Sequence, residues 1–221
     1  MLTTFVYLPF LQAEEVFILD FRNGKTTLDD WEKVFDADSE AAKKEGAVRV
    51  EDPPGNVEGL HTALVLRDVL DSSRDKQSNE AGTPLFTSSF EPITSGKVTF
   101  RAGTNGTQNQ NASLTLLAKG RPVLILRLVN NQEGLVVGGE SHMSFEDEMP
   151  WFNRARDFSI AWDDSGEFTV GFVNHEGEKI LLGPLRPLAP GAPDQIDFQV
   201  GFGRAVDKAL RIEQLTLFSE K

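Results

Sequence analysis

The sequence predicts an all-β fold, a two-sheet antiparallel β-sandwich or a related barrel, on three observations. Short apolar bursts recur with a period of two, turn-forming residues separate them, and 39% of the 221 residues are hydrophobic, with 16 Phe to fill a core. That apolar content argues against disorder, and the length suits one large β domain. The 22 Lys and Arg stand against 34 Asp and Glu, a net charge of −12. Nucleic-acid surfaces need clustered cations, so the balance excludes that class of partner. With no Cys there is no disulfide frame, thiolate metal site or cysteine nucleophile.

The elements follow in chain order. Residues 2–11 read LTTFVYLPFL, too short a run to span a bilayer but suited to the apolar part of an export signal ending at Ala13. The other reading of residues 1–13 is a first strand of the domain, and both stay open. Thr27 with Asp30 resembles a helix-capping pair, and Leu28, Trp31 and Phe35 would share a helix face, although a strand with Trp31, Lys33 and Phe35 on one side fits too. Ser39–Glu45, ending at Gly46, has the composition of a short surface helix.

Strand bursts then dominate. Val98 and Phe100; Leu124, Leu126 and Leu128; Phe158, Ile160 and Trp162; Phe168, Val170 and Phe172; and Ile196, Phe198, Val200 and Phe202 each alternate with residues of the opposite face. Asp163-Asp164-Ser165-Gly166 reads as a hairpin loop, and residues 71–82 as a polar loop. The run PLRPLAPGAP over 184–193 is expected to lie outside any sheet because proline cannot donate to a ladder. Leu210 and Ile212 are out of phase with Leu215 and Leu217, which places a bulge near Glu213–Gln214. No composition break divides residues 14–221, which read as one domain without internal repeats.

The order VFILDF, WEKVF, GAVRV, FSIAWDDSGEFTVGFV, DFQVGFG and LRIEQLTLF resembles the concanavalin A-like jelly-roll superfamily, which includes laminin-G-like domains, legume-type lectins and polysaccharide-active enzymes. The resemblance implies a saccharide partner and leaves the chemistry open, because one fold carries many functions. Retaining glucanases of the superfamily carry Glu-x-Asp-x-x-Glu on one strand. Here the acids of Glu146-Asp147-Glu148 are consecutive and read as a solvated loop. A lyase of this fold would need a neutral base, for which His142 is the best placed, with Arg127 or Arg101 neutralising a uronate carboxylate. The resemblance also implies a structural calcium joining the first and last strands, with Asp20, Glu213 and backbone carbonyls around Gly46 as ligands.

No nucleophile elbow, zinc-binding helix motif, phosphate loop or dinucleotide fingerprint occurs. The polar phases of the central strands offer Arg101, Arg127, Asp197 and Gln199, expected together on one concave sheet face. Trp151, with Arg154 nearby in MPWFNRAR, offers an aromatic platform for sugar stacking. Trp31 and Trp162 are expected in the core. These features point to an exported, non-catalytic module that binds a polysaccharide or glycan, secreted, periplasmic or at the cell surface. The alternatives are a polysaccharide lyase or glycoside hydrolase, and a structural or protein-interaction domain.

Overall fold

The computed structural model describes residues 13–52, 57, 59–67, 69, 85–104, 110–129, 135–137, 140–143, 155–173, 177–202 and 209–220. In chain order the elements are β1 (Ala13–Asp20), α1 (Leu28–Val34), β2 (Asp36–Ala37), β3 (Val48–Glu51), β4 (Ala63–Leu66), β5 (Leu85–Ser89), β6 (Gly96–Thr104) and β7 (Gln110–Ala118). They continue with β8 (Arg121–Val129), β9 (Leu135–Val137), β10 (Glu140–Met143), β11 (Arg156–Trp162), β12 (Phe168–Val173), β13 (Lys179–Leu185), β14 (Gln195–Phe202) and β15 (Leu210–Glu220).

The strands form two antiparallel sheets. One runs β13-β12-β11-β6-β15-β4-β3, with β1 also paired to β15; the other runs β10-β9-β8-β7-β14-β5-β2. The period-two residues account for the stacking. Phe158, Ile160, Phe198 and Val200 all face inward and are at most 3% exposed, while their alternating neighbours face out. The outward phase belongs to two different surfaces, one on each sheet.

Aromatic rings tie the layers together. Phe100 stacks on Phe158 in the first sheet at 4.7 Å and meets Phe198 of the second edge-on at 6.4 Å. Phe198 in turn touches Phe35, which stacks flat on Trp31 at 4.1 Å. Trp31 is the buried residue of α1, so the helical reading of residues 27–35 is the one realised. Its start is fixed by Asp30, which accepts from the Thr27 backbone N–H and hydroxyl at 2.9 and 2.8 Å. Lys33, donating to Asp30, is the main cause that brings this carboxyl down to about 2, and Thr27 adds to it. Because Trp31 is 1% exposed and supports Phe198 beneath the second sheet, Trp31→Ala is expected to cost about 3–5 kcal/mol. Urea unfolding would measure it; a cost below ~1 kcal/mol would mean the ring is dispensable.

The bulge expected near Glu213 is present: the register of β15 against β6 shifts between Ile212 and Gln214, so that Leu210, Ile212, Leu215 and Leu217 are all buried. The hairpin over Asp163–Gly166 also forms, with Gly166 at φ 81° and its N–H on Asp163 O at 2.9 Å. Two expectations are corrected. Ser39–Glu45 is a series of turns rather than a helix; the Ser39 hydroxyl oxygen accepts the N–H groups of Ala42 and Leu85, which holds the segment against β5. Pro184 lies inside β13, which is tolerated because β13 is the edge of its sheet and its outer side needs no partner.

Candidate functional site

Strand β14 runs between β7 and β5, so its outward residues occupy the middle of the second sheet. Register places Arg127, Ser113, Gln199 and Leu85 in one row across β8, β7, β14 and β5. The adjacent row holds Ile125, Thr115, Asp197 and Thr87, and Asp36 of β2 extends it. Three of the residues picked from the sequence, Arg127, Asp197 and Gln199, therefore share one face. Around them stand hydroxyls and amides that can donate to or accept from a polyhydroxylated ligand.

Asp197 is the focus of this face. Gln195 donates its side-chain amide to the carboxylate at 2.8 Å. Burial pushes the Asp197 carboxyl above the ordinary range; Gln195 and Thr87 oppose the shift, and the negative charge of Asp38 adds to it. The Thr87 hydroxyl beside it is shielded from solvent and acts on this carboxyl. A half-buried carboxylate flanked by an amide and a hydroxyl is an acceptor to which a ligand hydroxyl can donate. Thr87, Thr115, Ser113 and Gln195 join this face without being recognisable from the sequence as site residues. Their signal was positional only: each lies in phase with Asp197 on its own or a neighbouring strand.

Arg101 does not join them. It projects from β6 on the outside of the other sheet, and its guanidinium is committed there. Nε lies 2.8 Å from Glu213 Oε2, Nη1 is 2.9 Å from Asp157 Oδ2, and Nη2 donates to the Gly59 carbonyl at 2.9 Å. The expectation of one face holding Arg101 with Arg127, Asp197 and Gln199 is thus corrected. Adjacent strands in sequence, β5, β6 and β7, alternate between sheets, and phase along a strand does not say which sheet it belongs to.

Of the expected calcium ligands Asp20, Gly46 and Glu213, both carboxylates are engaged by neighbouring cations. The bulge turns Glu213 into a fully buried carboxylate: Oε2 meets Arg101, and Oε1 accepts the His61 backbone N–H at 3.0 Å and lies 2.7 Å from His61 Nδ1. Asp20 pairs with Arg22 through both oxygens, and the hydrogen bond from that guanidinium holds its carboxyl below the usual range. Gly46 sits instead beside Trp31 and Phe35. Calcium needs six to eight hard oxygens, and these two carboxylates already face cations. Among the described residues no group of three or more His, Cys, Asp or Glu is placed to hold a metal ion.

His142 falls on β10, where the backbone alone is described, and Trp151 and Arg154 lie outside the described residues. Trp162 is core, its indole N–H donating to the Ile93 carbonyl at 2.8 Å. No helix among the described residues is long and apolar enough to cross a membrane.

Two stacked antiparallel sheets, with the first and last strands paired, have the concanavalin A-like jelly-roll fold, whose solved relatives include lectin-like domains. The legume lectin-like domain from Entamoeba histolytica aligns with a TM-score of 0.55 at 6% identity, over 93% of this chain and 98% of that one. A carbohydrate esterase from the Shiga toxin-encoding bacteriophage phi24B aligns at 0.51 and 9% identity, over 95% and 100%. The binding domain of Paraclostridial Mosquitocidal Protein 1 aligns at 0.50 and 13%, over 93% of this chain and 49% of that chain. Identities this low are a likeness of fold. No family model and no curated protein matches the sequence.

Proposed function

We propose that the chain is an exported, non-catalytic carbohydrate-binding module that presents the outward face of β14 to a glycan. The observation that carries this reading is Asp197, a half-buried carboxyl raised by burial and set among Thr87, Thr115, Ser113, Gln195 and Gln199. Sugars are recognised by such planar and hydroxylic groups at the centre of a rigid surface, where the geometry is held by the scaffold rather than by loops. Arg127, in the row of Gln199, supplies the fork of donors a ring of hydroxyls can accept from. The lectin-like name of one structural neighbour agrees with it.

The test is retention on immobilised polysaccharides and a glycan array, with product assays run beside it. Saturable binding without release of reducing sugar, unsaturated uronide or acetate supports a binding module. Release of any of these replaces it with the second reading, a carbohydrate-active enzyme, for which the esterase neighbour is the supporting observation. No retention on any saccharide leaves the protein-interaction reading in its place.

A further inference from the structure

The outside of the eight-stranded sheet, remote from Asp197, carries its own groove of about 220 Å³. Its floor is set by a cross-strand row of small residues, Gly171, Ser159 and Thr99, on β12, β11 and β6. Gly171 is required there: a Cβ would lie 2.5 Å from Ser159 Oγ and 3.0 Å from Leu181 Cδ2, so any side chain would fill the depression. Lys179 of β13 and Lys97 of β6 line it at opposite ends, and Gln214 and Arg101 line it from the β15 side. From strand spacing and rise, the two lysine backbones are about 20 Å apart on a diagonal.

Three cations, Lys97, Arg101 and Lys179, line the groove against one carboxylate, Asp157. Arg101 is shared between Asp157 and Glu213, whereas among the described residues neither lysine ammonium has an ion-pair partner. In a chain of net charge −12, two unengaged cations over a hydroxyl-lined depression favour an anionic ligand. The strands beneath, β12, β11, β6 and β15, are paired on both sides, so an extended peptide could add only at the β13 edge, to one side of the groove and not along its floor. Ser159, Thr99 and Gln214 instead offer the mixed donors and acceptors that sugar hydroxyls need.

We infer that this groove is a second saccharide site, one that takes a uronate-bearing glycan, its carboxylates placed against Lys97 and Lys179 and its hydroxyls against Ser159, Thr99 and Gln214. It goes beyond the Asp197 face and does not depend on it. The ligand is more than one sugar ring long, because a single ring does not reach both lysines.

The experiment is calorimetric titration of the whole chain with oligogalacturonate, its carboxyl-reduced neutral counterpart, and poly-L-glutamate, each at low and high salt. The wild type is expected to bind oligogalacturonate, with affinity falling as salt rises. Carboxyl reduction, or the double variant Lys97→Ala/Lys179→Ala, is expected to weaken it about tenfold or more, the scale of a lost charge-assisted hydrogen bond. The variant Ser159→Leu, which raises the floor and leaves the charges, is expected to do the same. Failure of the wild type to bind oligogalacturonate, equal binding of the neutral oligomer or of poly-L-glutamate, or undiminished binding by both variants would overturn the assignment.

Discussion

Glu213→Ala is expected to destabilise the protein by about 3–5 kcal/mol, the cost of breaking a buried ion pair by removing one partner. The residue is 1% exposed and is the point at which four segments meet: β15 itself, β6 through Arg101, the His61 backbone before β4, and Phe21 after β1, whose N–H donates to the Glu213 carbonyl at 3.0 Å. Arg101→Met is expected to cost a similar amount, because it leaves the Glu213 carboxylate buried with its principal cation gone. The double variant Glu213→Leu/Arg101→Met is expected to recover most of the loss, since an apolar pair of similar volume escapes the desolvation penalty. Urea unfolding of the four proteins in a double-mutant cycle measures this. A single-variant cost under ~1 kcal/mol, with no coupling, would mean that the pair behaves as a solvent-exposed one.

That clasp was invisible as such in the sequence, for a definite reason. The phase break between Ile212 and Leu215 announced a bulge, and the bulge is there. What a bulge does to the side chain at its centre depends on the neighbouring strands, and Arg101 and His61 are far from Glu213 in sequence. The same limit applied to Arg101. Its alternation with Val98 and Phe100 correctly placed it on an outward face, but two sheets have two outward faces. By contrast Arg127, Asp197 and Gln199 were recoverable together because β8, β7 and β14 are neighbours in one sheet and each announces its phase with Leu or Phe.

Strands with weak phase were the ones missed. In β5, LFTSS, only Phe86 is a large buried side chain and Ser88 is buried too, so period-two alternation has almost nothing to display. Thr87, the partner that completes the Asp197 surroundings, lies on that strand. At the amino end, Val16 and Ile18 are both over 40% exposed while Leu19 is buried; the apolar run VFIL obscured which face was which. Helix against strand at residues 27–35 was undecidable from spacing because Trp31 and Phe35 suit both periods. The Thr27–Asp30 capping pair and the flat stack of Trp31 on Phe35 resolve it.

Asp197→Asn is expected to separate stability from binding. Because burial raises the folded carboxyl above its unfolded value of 3.8, the folded state holds this proton more tightly than the unfolded one. The stabilisation this gives is complete below pH 3.8 and is lost as pH rises through the folded value, so at neutral pH the ionised Asp197 opposes folding. An amide carries no charge to desolvate, and the variant is expected to melt at an equal or higher temperature than the wild type at pH 7. Saccharide retention should fall about tenfold or more, because a charged acceptor for ligand hydroxyls is replaced by a neutral amide. In the wild type, lowering the pH through the folded value should weaken retention, and in the variant that dependence should vanish. Thr87→Val, which removes the hydroxyl beside Asp197 and keeps the shape, should likewise lower retention. Were Asp197→Asn to lose stability at pH 7 and keep its glycan, the carboxylate would be a structural acceptor for Gln195, and the binding face would have to be sought elsewhere on the sandwich.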